Sequence, residues 1–276
     1  MPTATPADPQ PQAEPAPPLT VAITGARGAL GQALLRRWHR RGARLIALTH
    51  RPETGELAPF QLRDAAGADI SLQQVGWQCG QEGELAPLLA DVDVLVLNHG
   101  VNPYGRRDCE ATDLALAVNA LSHWRLLELF ARQVARRESG GPAAGASTRR
   151  PASEVWINTS EAEIQPALSP LYEISKRLLG QLLSLRALDL AASPGTGAPP
   201  GLRLRRLVLG PFRSELNPFG VMSADWVAGE ILRQADWNWG LIIVTINPFT
   251  FVLMPLATLS RWAYFRCFTR SGRKGA

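Results

Sequence analysis

Ser160, Tyr172 and Lys176 are the residues whose types and spacing could do chemistry. Tyr172 and Lys176 stand at i and i+4 in a pattern that runs on through Leu178, Leu179, Leu182 and Leu183, so on a helix they share one face. An ammonium beside a phenol favours phenolate and lowers a pKa that ordinarily sits near ~10. A tyrosine tuned toward neutral pH can pass a proton to or from a carbonyl or alcohol oxygen. Twelve residues before Tyr172, the run Val155-Trp156-Ile157-Asn158-Thr159-Ser160 reads as a strand ending in hydroxyls. A Ser hydroxyl facing the phenol could hold that same oxygen. A Tyr and a Lys four apart are also common on plain helix surfaces, so the pair gains meaning only from what precedes it.

What precedes it is a phosphate cradle. Leu19-Thr20-Val21-Ala22-Ile23 is an apolar run that ends in Thr24-Gly25-Ala26-Arg27-Gly28-Ala29-Leu30-Gly31 and passes into a helical pattern of Leu30, Ala33, Leu34 and Trp38. In such a turn the first glycine permits the bend, the second lets backbone approach a pyrophosphate, and the third lets helix pack on strand. Exposed N–H groups and the helix dipole then favour the anion. The strand before and the helix after separate this reading from a ligand-free glycine turn.

The next strand ends Ala47-Leu48-Thr49-His50-Arg51. Folds that bind NAD place an acid for the ribose 2′-hydroxyl about twenty residues beyond the glycine turn. Thr49, followed by His50 and Arg51, occupies that place here. Loss of the acid removes repulsion, and Arg51 could pair with a 2′-phosphate. Arg27 inside the glycine turn points the same way, so NADP(H) is favoured over NAD(H). Asn98-His99-Gly100 closes the fourth strand, and Gly100 would let backbone approach the cofactor. Asn119 sits within the apolar run Leu116-Ala117-Val118-Asn119-Ala120-Leu121. It is either a satisfied core amide or a residue that bends its helix and holds a water near a reaction centre.

The elements that must position these residues alternate. Strands are expected near 19–24, 44–49, 72–77, 92–98, 154–159, 202–209 and 241–246, and helices near 29–41, 84–90, 109–137, 168–191 and 223–235. Strand alternating with helix implies an α/β fold, a Rossmann-type doubly wound parallel sheet of about seven strands covered on both faces. Residues 1–18, rich in Pro and Ala and without an apolar run, read as a disordered lead-in; 19–246 form the Rossmann domain, and 247–276 a hydrophobic, basic extension. Surface insertions are expected at 139–153 and 191–201.

The 276 residues can bury a real core. Three widely spaced cysteines, Cys79, Cys109 and Cys267, argue against a disulfide framework or a metal site and fit a reducing, cytoplasmic compartment. The net charge of +5, mostly scattered arginine, suits an anionic cofactor or an anionic membrane. No interleaved basic and aromatic motif supports nucleic acid as a partner.

Taken in order, the glycine turn, Asn98-His99-Gly100, Asn119, Ser160 and Tyr172 to Lys176 resemble the short-chain dehydrogenase/reductase family over residues 19 to 235. The resemblance implies a seven-stranded Rossmann domain, a nicotinamide cofactor and a small-molecule carbonyl or alcohol substrate. It implies Tyr172 as general acid/base, Lys176 lowering its pKa and binding the nicotinamide ribose, Ser160 orienting the substrate oxygen, and Asn119 holding a proton-relay water. A homo-oligomer is implied too. The chain departs from the family pattern in Asn98-His99-Gly100, in the reversed Gly210-Pro211, and in lacking an acid around Trp77-Gln78-Cys79. The distance from Ser160 to Tyr172 is one residue short, which makes Thr159 an understudy for Ser160. A non-catalytic nucleotide-binding scaffold or redox sensor is the other class of function. The complete Asn, Ser, Tyr and Lys set favours the enzyme.

The tail departs most. No charged residue occurs between Asp236 and Arg261, a length that could span a bilayer. Pro248, Pro255 and the strand-prone Ile242-Ile243-Val244-Thr245-Ile246 argue against a span. Beyond them Leu259, Trp262, Tyr264, Phe265 and Phe268 interleave with Arg261, Arg266 and Arg270. That mixture fits either peripheral membrane contact through 247–276 or packing on the domain or a second subunit. A bilayer-facing tail would suit an apolar or lipid-like substrate.

Overall fold

The computed structural model describes residues 17–139, 152–191 and 201–269. Most of the expected lead-in and of both surface insertions, and the cations Arg270, Arg273 and Lys274, lie outside the described residues.

Seven parallel strands form one sheet: β1 (Thr20–Thr24), β2 (Arg44–His50), β3 (Gln73–Trp77), β4 (Val94–Leu97), β5 (Ser153–Ser160), β6 (Leu202–Leu209) and β7 (Leu241–Val244). Their order is β3-β2-β1-β4-β5-β6-β7. The sheet thus grows one way from β1 to β3, returns to β4 and grows the other way. That reversal opens a crevice above the carboxyl ends of β1 and β4, where open α/β sheets take their ligands. Register fixes the crevice: Val21 lies opposite Val94 and Ile23 opposite Val96.

The strands form where they do because apolar residues run unbroken. Val94-Leu95-Val96-Leu97 is buried throughout, as a strand covered on both faces must be. Helices α1 (Ala29–Arg40) and α6 (Ala224–Asp236) cover one face, burying Leu34, Leu35, Trp38, Val227 and Ile231 against Val21 and Ile23. Helices α4 (Ser122–Ser139) and α5 (Pro170–Ala191) cover the other, burying Leu126, Phe130, Leu179 and Leu183 against Ala22, Leu95 and Ile157. Each such side chain contributes about 1.5–3 kcal/mol of transfer free energy.

Two helices differ from expectation. The one expected near 84–90 is a 3₁₀ turn, Glu82–Leu85, followed by the single-turn α2 (Ala86–Leu89). The one expected over 109–137 is interrupted. It begins as α3 (Cys109–Leu116), where the Asp108 carboxylate accepts from the Ala111 N–H, and widens into a π-turn over Ala117–Leu121 before α4 resumes. Asn119 is inside that π-turn, so the helix is irregular where the amide sits.

β7 stops two residues early because the Thr245 hydroxyl accepts from the Asn247 N–H and the Asn247 carbonyl oxygen of the side chain accepts from the Phe249 N–H. The turn so formed launches α7 (Thr250–Phe268), which accommodates Pro255 in its second turn. Among the described residues no helix is long and apolar enough to cross a membrane.

Candidate active site

The glycine turn meets the end of β4 face to face. Gly25 takes φ +61°, and a Cβ there would stand 2.9 Å from the Asn98 carbonyl oxygen; one on Gly31 would run into the Gly25 carbonyl. Only glycine satisfies both demands. The Gly28 N–H bonds to the Gly25 carbonyl at 3.1 Å and starts α1, whose first turn has neither a side-chain cap nor an acidic residue. Its free N–H groups are therefore left for an anion. The residues present fit the diphosphate of a nicotinamide dinucleotide.

Around this cradle the sequence-predicted residues divide. Thr24 is fully buried and uses its hydroxyl as a staple. It donates to the Val96 carbonyl (3.3 Å), accepts from the Asn98 and His99 N–H groups, and meets His99 Nδ1 at 2.9 Å. Leu30 points into the core, so only its backbone faces the turn. Thr49 is buried and accepts from Gln74 Nε2 (3.2 Å), while His50 is exposed. Arg51 pairs with Glu84 Oε2 (2.9 Å) and Gln81 Oε1 (2.6 Å), and Arg27 bonds to the Ala58 carbonyl and stacks over Phe60. Arg51 and Glu84 are both substantially exposed, so their pairing is worth at most ~1 kcal/mol.

The reacting end lies one strand over. Along β5 alternate residues share a face, so Asn158 and Ser160 point together and Thr159 away. Thr159 is buried and donates to the Leu207 carbonyl on β6 at 3.1 Å, which removes it as an understudy. Ser160 stands at the strand end, and its hydroxyl hydrogen-bonds the Tyr172 phenol from α5. Lys176, almost wholly buried, places Nζ 5.6 Å from the Tyr172 ring centroid and donates to the Asn158 carbonyl at 3.1 Å. The Asn158 amide in turn donates to Asn98 Oδ1 (2.9 Å), which ties the lysine to the crevice wall.

The electrostatics correct one expectation. Burial pushes the Tyr172 phenol above its ordinary value, and the opposing influence is the Ser160 hydrogen bond rather than the Lys176 charge. Burial also lowers Lys176 to about 8. Desolvation thus works on both groups, toward the neutral form of each.

Asn119 is a satisfied amide. Its Nδ2 donates to the Val101 carbonyl (2.9 Å) and to Ser175 Oγ (3.0 Å), and its Oδ1 accepts from the Val101 N–H (2.8 Å). The Ser175 hydroxyl passes the link on to the Tyr172 carbonyl (2.8 Å). Gly100 packs closely beside it, since a Cβ there would stand 3.2 Å from Asn119 Oδ1. The side chain itself has no hydrogen left for a relay water.

Three features escaped sequence reasoning. Asn158 was legible from strand alternation alone, being two residues before Ser160. His99 stacks on His123 at 4.0 Å between ring centroids and meets Trp77 edge-on at 5.0 Å. Burial holds His99 down at about 3 and His123 well below its usual value, so both rings are neutral. Nothing in the spacing of 99 and 123 announces that stack. Finally, Glu163, three residues past Ser160, is enclosed by Arg206 from β6 and Arg261 from α7. Among the described residues no cluster of His, Cys, Asp and Glu could hold a metal ion.

A family model described as the NAD dependent epimerase/dehydratase family matches residues 21–183, from β1 through the Tyr172–Lys176 helix. The chain belongs to that family. A curated relative, the monoglucosyldiacylglycerol epimerase of Synechocystis sp., is 44% identical over 254 residues, which cover 91% of this chain. The chain spans only 55% of that relative's length. Among solved structures, a short-chain dehydrogenase from Sphingobium yanoikuyae in complex with NADPH superposes with a TM-score of 0.64 at 17% identity, covering 93% of this chain and 98% of the other. The bulky-bulky ketone specific alcohol dehydrogenase from Comamonas testosteroni superposes at 0.65 and 17%, covering 94% and 99%. These two establish the Rossmann-type fold of the short-chain dehydrogenases. The function rests on the family match and on the site.

Proposed function

We propose that this chain is an NAD(P)-dependent epimerase that inverts one hydroxyl-bearing carbon of a sugar carried on a diacylglycerol lipid. The observation that carries this reading is the likeness to the monoglucosyldiacylglycerol epimerase, which spans the whole of the Ser160, Tyr172 and Lys176 site. A bound nicotinamide would supply a hydride acceptor that can return what it took. The chain's own residues would do the rest. Ser160 orients the sugar hydroxyl; Tyr172, entering as the phenolate, takes that hydroxyl's proton as the carbon becomes a ketone, holds it as the phenol, and gives it back afterwards. Lys176 sets the ribose and the local charge. Epimerisation is redox-neutral overall, so the proton must remain in the site between the two halves. A phenol whose pKa is raised by burial keeps a proton well.

The expectation of a carbonyl reductase that prefers NADP(H) is the second reading, supported by the dehydrogenase fold and by Arg51 beside the open end of β2. The two separate cleanly. The full chain loaded with catalytic NAD(P)⁺ is given monoglucosyldiacylglycerol, and the headgroup configuration is read by NMR. Inversion with no net change in cofactor absorbance is expected. No inversion, together with stoichiometric NADPH oxidation on apolar ketones, would replace the epimerase with the reductase.

A further inference from the structure

Helix α7 is built inside out. The residues it turns toward the domain are Thr250, Met254, Ala257, Thr258, Arg261 and Phe265, and of these only Thr250 and Met254 are fully buried. Met254 packs on Val208 and Ile243, and the contacts beside it are polar. Thr250 Oγ1 donates to Glu161 Oε1 (2.8 Å) and accepts from Gln165 Nε2 (2.8 Å), and Arg261 donates to Glu163 Oε2 (3.0 Å). Its other sides carry Phe251, Leu256, Leu259, Trp262, Tyr264 and Phe268, each at least 41% exposed. A surface helix ordinarily buries its apolar stripe and shows its charges to water. Here much of that order is reversed, with large apolar side chains exposed along the whole length of the helix.

Two observations decide what covers it. The exposed apolar residues lie on every outward side, whereas a second helix or a second copy would cover one stripe about 100° wide. An apolar medium covers all of them at once. The charge is also one-sided. From Trp237 to Ala276 the sequence holds five cations and no acid, and the Arg266 guanidinium lies 5.3 Å over the Trp262 ring. Aromatic residues interleaved with arginine match the boundary between acyl chains and anionic headgroups. The helix does not cross: it is not long and apolar enough to span a bilayer, and Arg261 is committed inward.

We propose that α7 lies in the interface of an anionic lipid bilayer, seated on the Ser160 loop through Arg261 and Glu163, so that the site opens beside the membrane surface. The seat ties membrane contact to the reacting end, because Glu161, Glu163 and Gln165 all belong to the segment that follows Ser160. The bilayer reading stands apart from the epimerase reading, since binding requires no turnover.

The full chain is sedimented with vesicles of phosphatidylcholine alone and with vesicles containing phosphatidylglycerol. Binding to the anionic vesicles is expected, weakened by salt and at least about tenfold tighter than to the neutral ones. Replacing Leu259, Trp262 and Phe268 together with Ser should reduce it by about tenfold or more. Arg266→Glu, a single exposed change that leaves the helix intact, should reduce it severalfold. Wild-type chain left in the supernatant, or variants that bind as well as wild type, would overturn the proposal. So would a triple variant that turns a dimer into a monomer in light scattering with vesicle binding unchanged, since the face would then join two copies of the chain.

Discussion

Asn119 and Val101 hold each other by both ends of one amide: Nδ2 donates to the Val101 carbonyl, and Oδ1 accepts from the Val101 N–H. The pairing imitates a β-ladder between a helix and the loop after β4, and its spare hydrogen reaches Ser175 on α5. Substituting leucine for Asn119 keeps the volume and removes every partner. Orphaned buried groups cost about 1–3 kcal/mol each, so Asn119→Leu should lose about 3 kcal/mol in urea unfolding at unchanged m-value. Turnover should fall as well, because the Tyr172 backbone is the last link of the chain. A stability loss below about 0.5 kcal/mol would show that the latch is replaceable.

Tyr172→Phe removes the phenol that Ser160 faces. Turnover should drop by at least about a hundredfold, the usual scale of general acid–base catalysis, with cofactor affinity within about twofold of wild type. Isothermal titration and a single-turnover assay separate the two quantities. Residual activity near the wild-type level would place the proton elsewhere.

Lys176 should cost stability while it serves activity. Its value falls from 10.5 to about 8, so the folded chain gives up the proton more easily than the unfolded one. The unfolded state then binds more protons between about pH 8 and 10.5, and stability contributed by this group rises with pH across that window. Below pH 8 the burial penalty is fully present, about 3 kcal/mol. Lys176→Met should therefore raise the unfolding free energy near pH 7 by on the order of 1–3 kcal/mol, flatten that rise, and abolish turnover. A variant no more stable than wild type would mean that the Asn158 carbonyl already offsets the cost of burial.

Arg51 tests the choice of cofactor. Its pair with Glu84 is exposed and worth at most ~1 kcal/mol. Arg51→Ala should weaken NADPH binding by about tenfold or more, the worth of one charge-assisted contact, and leave NADH within about twofold. Equal losses for both would remove the 2′-phosphate reading and leave NAD(H) as the simpler cofactor.

The sheet was legible because its strands are continuous apolar runs and its helices repeat at 3.6 residues; six of the strands start within one residue of where period and composition put them, and β4 starts at Val94 instead of 92, with the Asp93 carboxylate accepting from the Thr20 N–H of β1. The Ser160 and Tyr172 pair was legible too, since spacing along a strand and a helix predicts which side chains can meet. What failed to show was the protonation of the pair. Lys176 lies near Tyr172, but sequence carries no measure of desolvation, and burial outweighs the Ser160 hydrogen bond. The Glu163, Arg206 and Arg261 cluster was hidden for a different reason: it joins three elements nearly a hundred residues apart, and no local pattern records it.

The π-turn over Ala117–Leu121 has a consequence for phase. One extra residue in a helical turn rotates everything after it by about 100° relative to everything before. The slip lets one continuous run of helix serve two neighbours. Before it, Ala111 and Ala115 face Leu171 on α5; after it, Leu126 and Phe130 face the sheet. Deleting a single residue at the turn would restore a regular helix and present the wrong side of α4 to the core. The widened turn is thus a gear change between two packing surfaces, and Asn119 is the residue that keeps it engaged.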